Sequence, residues 1–272
     1  MIKSELKKSI NIYLILFLII VGFFVGISAM YDDISPSINI TEGSDSESLS
    51  KTDIESLNKM AKQYQNTYMA WRFSTMGYEI ICIILATLVY ATTYLIDKKS
   101  GYLKNILLRV SKRKYFFNKT LVNFISGGLI VNIPLIICLI IYMIIFDNRS
   151  LPSIEAFLPK GFMSELFVIN PILYIIFFSI VLFFIGGVYS TFAMAVGINS
   201  NNIIYGILTP IFYWYFGSIF FQSIGLDNLA PWRMYYFTID ESYSFIIPTI
   251  HTFIILAISL WIIYRESKSE QF

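Results

Sequence analysis

Histidine occurs once in this chain and cysteine twice, and only 14% of its 272 residues are charged. Each scarcity excludes a class of chemistry. A transition-metal centre needs several His, Cys or carboxylate ligands, and His251 is the one imidazole on offer. The same shortage excludes an intramembrane metalloprotease. Cys82 and Cys138 both lie inside apolar runs, so buried thiol packing is their default and no structural disulfide is suggested. No Gly-x-x-x-x-Gly-Lys-Ser/Thr stretch occurs, so the chain has no P-loop with which to cradle ATP phosphates. A soluble domain carries about a quarter charged residues, roughly twice what is present here.

Apolar residues fill the space: they make up 56% of the chain, and its mean hydropathy is +0.66. They run together over residues 12–30, 78–96, 124–146, 167–196, 203–221 and 244–264. Each run matches the roughly 20 residues that a helix needs to cross a hydrocarbon core. A span must satisfy its own backbone hydrogen bonds, so these segments are expected to be helices. The short alternating segments of a membrane β-barrel are missing. The expected fold is an all-α integral membrane protein, one domain with six transmembrane helices. The first run is longer than a signal-peptide core and has no clean small-x-small cleavage site after it. It reads as helix one, with Gly22 and Gly26 one turn apart for close helix approach.

With six spans, both termini share a side with the 97–123 loop and the 197–202 turn. That side holds thirteen cations: Lys3, Lys7, Lys8, eight in the loop, Arg265 and Lys268. The other side holds seven: Lys51, Lys59, Lys62, Arg72, Arg149, Lys160 and Arg233. Positive residues near span ends stay cytoplasmic, which puts the termini and the basic loop inside. Segment 31–77 is then extracellular. It begins polar and acidic (TEGSDSESLSKTD) and continues with Ile54, Leu57, Met60, Ala61 and Tyr64 at helical spacing, so a loose stretch followed by amphipathic helix is expected. The Ile-, Lys- and Asn-rich composition looks like that of an AT-rich bacterium, whose cell membrane is the expected location.

The loop itself, DKKSGYLKNILLRVSKRKYFFNK over residues 97–119, has a pattern beyond charge. Leu103, Ile106, Leu107 and Val110 recur at helical spacing, with Lys104, Asn105 and Arg109 on other faces. Ser111 interrupts, and Lys112-Arg113-Lys114 leads into Tyr115, Phe116 and Phe117. The pattern predicts a short amphipathic helix, a break, and a second basic-aromatic helix feeding span three. A patch for anionic lipid would explain the charge but requires no helix–break–helix.

An acid after span two (Asp97), then Ser100, Gly101, Leu103, Lys104, Leu107 and Arg109, then Ser111, Tyr115 and Lys119, resembles the permease subunits of type-2 ABC transporters. The resemblance extends to six spans, internal termini and an irregular extracellular segment between spans five and six. The long first extracellular segment departs from the shortest family members. In that family the loop forms a coupling helix that docks into a groove on the ATP-binding subunit. The resemblance therefore implies a separate ATP-binding cassette chain and a second permease copy or paralogue, since one six-span bundle is half of the usual pore. Independently of it, a docking helix needs an apolar ridge and steering cations. Leu103, Leu107, Val110 and Tyr115 are candidates for the apolar part, and Arg109, Lys112 and Arg113 for the charged part. No cofactor, no metal and no nucleic-acid partner are expected.

Span four, at 167–196, exceeds one bilayer thickness, so it must tilt, break or protrude. Pro171 and Gly186-Gly187 offer places, while Gly186 with Ser190 and Ala193 with Gly197 are spaced for close packing. Residues 216–242, aromatic but interrupted by Gly217, Gly225 and Pro231, are expected to form short re-entrant helices capping the outer mouth. Glu79 reads as interfacial, and His251 as a neutral histidine bonded to a neighbouring helix. The nearly charge-free spans suit an amphipathic or hydrophobic cargo, such as an antimicrobial peptide, a drug or a lipid-linked product. Tyr174, Phe177, Phe178, Phe212, Trp214 and Tyr215 are the candidate path; these aromatics could equally face lipid. Two functions therefore stand: the membrane subunit of an ATP-driven exporter, and a membrane sensor or immunity protein with a ligand-binding outer segment and a basic loop that binds lipid or a cytosolic partner.

The cation asymmetry makes a direct prediction. In a background lacking Cys82 and Cys138, Ser46→Cys should react with an impermeant thiol reagent in intact cells, and Ser111→Cys only after the membrane is opened. Reaction of Ser111→Cys in intact cells would reverse the orientation.

Overall fold

The computed structural model describes residues 12–42, 66–89, 93–146, 158–236 and 244–269, all as helices and the turns between them. Helix α1 spans Ile12–Glu42, α2 Thr67–Val89 and α3 Thr93–Lys99. Then come α4 (Tyr102–Leu107), α5 (Lys112–Ile145), α6 (Ser164–Ile169) and α7 (Pro171–Ser200). Helix α8 (Ile203–Phe212) passes through a π-helical turn, Tyr213–Gly217, into α9 (Ser218–Ser223). Two 3-10 turns, Asp227–Leu229 and Pro231–Met234, precede α10 (Ile246–Lys268). Six helical segments are long and apolar enough to cross a membrane, including α2 and α3 taken together and α8 continued through α9. The protein is a multi-pass membrane protein.

Several boundaries differ from the sequence reading. Helix α1 continues to Glu42 and α2 begins at Thr67, so both helices reach well into the segment read as loop. The amphipathic pattern from Ile54 to Tyr64 lies outside the described residues. Span three starts at Lys112, because the basic-aromatic helix joins it without a break. Span four does break, at Asn170. The Asn170 side chain accepts from the Leu173 amide at 3.2 Å, and Pro171, which has no N–H to satisfy, takes the first helical position. Gly186 and Gly187 cause no interruption.

Those glycines act in packing. The α5–α7 crossing is the most extensive helix contact among the described residues, and it is built glycine on glycine. A Cβ on Gly127 would lie 2.4 Å from that of Ser190, and one on Gly186 would lie 2.7 Å from the Gly127 carbonyl. Gly128 and Gly187 receive the rings of Phe183 and Phe124 in the same way. Between apolar helices in lipid there is little hydrophobic gain from association, so dispersion at such short separations carries the contact. The crossing is also tied by polar groups. Ser190 donates to Asn123 Oδ1 at 2.8 Å, and the Asn132 amide donates to the Ser179 carbonyl at 3.0 Å.

The remaining helices use the same device. Gly206 of α8 sits on Gly197 and the Ala193 carbonyl of α7, with about 3 Å left for a Cβ. Gly22 leaves room for the ring of Pro134 on α5, and Gly26 for Cys138 and Ser74. At the end of α7, Asn201 adopts the left-handed conformation (φ 52°), and Asn202 caps α8 by accepting from the Ile204 amide at 2.9 Å.

At the opposite end of the bundle, α9 and the 3-10 turns fold over α2. Ser218 Oγ accepts from the Trp232 amide at 3.1 Å. The Tyr235 hydroxyl donates to the Thr75 carbonyl and that of Tyr236 to Glu79 Oε2. Glu79, bonded to Tyr236, is 6% exposed. His251 Nε2 pairs with the Tyr213 hydroxyl at 2.6 Å, joining α10 to the π turn.

If the glycine crossing carries the bundle, Gly127→Val should lower thermal stability in detergent by about 3 kcal/mol or more, the upper range of overpacking. Leu129→Ala, on the outward face of the same helix at 46% exposure, should stay within about 0.5 kcal/mol. Equal effects of the two would contradict this packing account.

Candidate functional site

The candidate site is the basic end of the bundle, from the end of α3 to the start of α5. Its geometry begins with a turn. Gly101 has φ 74°, a left-handed conformation that costs glycine little, and it reverses the chain between α3 and α4. Leu103 then turns inward, 5% exposed, into a small core with Tyr94, Leu95, Tyr115, Phe116, Met194 and Ile198. This core holds the short α4 helix against the ends of α5 and α7.

One polar contact secures it. Tyr115 and Lys119 are four residues apart on α5, so they share a face, and that face meets Asp97 at the end of α3. Asp97 Oδ2 accepts from Lys119 Nζ at 2.5 Å and from the Tyr115 hydroxyl at 2.9 Å. The Lys119 side chain is 1% exposed and Asp97 17% exposed. A charge this deep is tolerated because its partner is in contact, and removing either one strands the other. The residues at both ends of the sequence motif thus meet in space and fix the loop between them.

What remains outside is short and specific. Leu108 is 87% exposed, flanked by exposed Lys104, Asn105 and Arg109, with Leu107 and Val110 half-buried. Lys104, Leu107, Leu108 and Lys112 line a cleft of about 470 Å³. A larger cavity, about 760 Å³, adjoins it with Lys98, Lys104, Lys112 and Arg265 around the single carboxylate of Glu266. Lys112 is anchored there, donating to the carbonyl of Ser269 at 2.7 Å and to its hydroxyl at 2.9 Å.

The structure divides the residues that sequence reasoning grouped together. Leu103 and Tyr115, read as part of the docking surface, are buried at 5% and 0% exposure and hold the segment in place. Leu107, Val110, Arg109 and Lys112 do border the outward face. Arg113 lies elsewhere, beside Tyr264 at the mouth of a separate apolar groove. Leu108 was missed, because its helical spacing matched neither the apolar ridge nor the cations.

The candidate cargo residues divide too. Tyr174, Phe178 and Trp214 are core residues, 3%, 3% and 0% exposed. Phe178 packs edge-on to Trp71 and Tyr235, Tyr174 to Phe167, and Trp214 to Tyr189. Phe177 and Tyr215 are half-buried, and Phe212 is open at 51%. Phe212 belongs instead to an outward stripe of Ile204, Leu208, Phe212, Phe216 and Phe220, every fourth residue along α8 and α9. Crowded aromatics on all sides of this span hid the four-residue period in the sequence.

Comparison with protein-family models, with curated proteins and with solved structures finds no match for this chain.

The ion pair can be tested by a double-mutant cycle. Asp97→Asn and Lys119→Met should each cost about 3 kcal/mol of unfolding free energy, because each leaves a buried charge without its partner. The double variant should recover much of that loss, giving a coupling of at least about 1 kcal/mol. Additive losses would mean that the two residues act independently.

Proposed function

We propose that the chain is the membrane-spanning subunit of an ATP-driven exporter, energised by a separate ATP-binding cassette chain that docks on the α4 segment. One observation carries the reading: a short helix, pinned to the bundle by Asp97, Lys119 and Tyr115, holds Leu108 almost fully in water between Lys104 and Arg109. An exposed leucine is unremarkable by itself. A leucine held out by a buried ion pair, beside a cleft and a cation-lined cavity, suits a partner offering an apolar pocket with an acidic rim. The sequence resemblance to type-2 permeases points to the same partner, and no P-loop occurs within these 272 residues to hold ATP.

The orientation proposed is basic end cytoplasmic, by the charge rule for span ends, with both termini inside a bacterial cell membrane. The extracellular mouth is then the end closed by α9, the 3-10 turns and their tyrosine contacts to α2. A second copy or a paralogue would complete the pathway, and the Ile204–Phe220 stripe offers it an apolar face. The cargo proposed is amphipathic or hydrophobic, an antimicrobial peptide, drug or lipid-linked product, entering from the membrane along half-buried and exposed aromatics such as Phe177, Phe212 and Tyr215.

The experiment is biochemical. Purified gently from native membranes, the tagged chain should bring down a P-loop-containing partner and hydrolyse ATP faster when cargo is added. Leu108→Asp and Arg109→Glu should each lower the stimulated rate about tenfold or more, the scale of losing a central interface residue, while the bundle remains folded. Full stimulated activity in both variants would leave the loop as a topological anchor alone.

A further inference from the structure

A groove on the outer flank of the bundle is not used by the docking surface or by the aromatic stripe. It runs between the N-terminal third of α5 and the C-terminal half of α10, and it encloses about 460 Å³. Phe117, Leu121, Leu260 and Tyr264 form its open edges at 68%, 37%, 44% and 53% exposure. One end lies at the basic end of the fold, where Arg113 and Ser267 line it. Lys268 stands 4.5 Å above the Tyr264 ring there, and Arg113 is a second charged neighbour of that tyrosine. The other end is closed by Phe124, whose ring packs against Phe183 and Phe184.

We propose that this groove is a binding site for an anionic phospholipid, with an acyl chain along the groove and the phosphate held between Arg113 and Lys268. Three observations favour that occupant. The first is length. Arg113 to Phe124 on α5 and Ser267 to Leu256 on α10 each cover eleven helical steps, about 16 Å, close to half of the roughly 30 Å hydrocarbon thickness. The groove therefore has the reach of one leaflet's acyl chain.

The second is polarity. The lining is mainly aromatic and aliphatic, and Arg113 and Lys268 both lie beside Tyr264 at the basic end of the fold. That is the charge distribution of a phospholipid in negative image. The third is size. The groove is a furrow of about 460 Å³ between two adjoining helices, open along Phe117, Leu121, Leu260 and Tyr264, which admits a flexible chain along its length. Thr120 supports the assignment as well: its Oγ1 is buried beside the groove with no hydrogen-bond partner among the described residues. An ester carbonyl near the top of an acyl chain would supply the acceptor that it lacks.

The groove also meets the docking segment. Arg113 belongs to the same basic run as Lys112, and Ser267 is two residues from the Ser269 that anchors Lys112. A lipid held there would brace the starts of α5 and the end of α10 together.

The test does not depend on any ATPase. The full chain, purified in mild detergent, is mixed with phosphatidylglycerol or with phosphatidylcholine of the same acyl chains, and retained lipid is counted by native mass spectrometry. Phosphatidylglycerol should be retained preferentially. Arg113→Gln and Lys268→Gln should each reduce that preference about fivefold, the attraction of one cation near a membrane surface, whereas Lys114→Gln should leave it unchanged. Leu260→Trp, which fills the groove, should reduce retention of both lipids. Equal retention of the two lipids by the parent chain overturns the proposal, as does undiminished retention by Leu260→Trp. A dimer of the parent that Leu260→Trp splits overturns it too, by making the groove an interface between copies. Melting temperatures of all variants separate these outcomes from misfolding.

Discussion

A carboxylate and an ammonium group in contact near the end of a membrane bundle organise everything around them. Asp97 ends α3, Lys119 lies within α5, and between them are the turn at Gly101, the short α4 helix and the break at Ser111. The chain could satisfy these two charges separately in water at the membrane surface. Burying them together fixes the separation of α3 from α5 and gives the intervening residues one path. Tyr115 adds a hydrogen bond to the same oxygen from one turn earlier, so the acid is held from two points on one helix. Desolvating either charge without the other is costly, so arrangements that part them are disfavoured.

The same logic, with dispersion in place of charge, governs the spans. Gly127-Gly128 against Gly186-Gly187 brings α5 and α7 to a separation that no larger residue allows, and Asn123 and Asn132 bond across it. The closely packed α5–α7 pair is the frame on which both ends are built. Its basic end carries the pinned loop. Its other end faces the fold-back of α9 and the 3-10 turns, which attach to α2 through Tyr235 and Tyr236. A movement of α2 relative to α5 would thus be felt at both ends, since α3 follows α2 and carries Asp97. For the proposed permease, this would be the connection between the proposed docking surface and the end closed by the fold-back.

Much of this was legible in the sequence, for identifiable reasons. Six long apolar runs can be little else in a chain so poor in charge. Small residues at one-turn spacing, Gly22 with Gly26, Gly186 with Ser190 and Ala193 with Gly197, marked close approaches that the structure contains. The loop's helix–break–helix followed from spacing alone. What was not legible is direction. A periodic apolar face in a soluble protein points to the core, but beside a membrane it can point to core, lipid or partner, and composition does not distinguish these. Leu103 and Leu108 are one residue type five positions apart, yet one is buried and the other lies in water. Trp214 and Phe212 differ likewise on one turn of span five. Only the crossing partners decide such cases, and those depend on contacts distant in sequence.

In the proposed complex the pinned loop would present Leu108, and not Leu103, to the ATP-binding chain. The most direct measurement places a photo-crosslinking amino acid at each position in living cells and identifies what each captures by mass spectrometry. The account predicts a cross-link from position 108 to a chain whose peptides include a P-loop sequence, and none from position 103. Absence of any P-loop chain at 108, or equal capture at both positions, would contradict it.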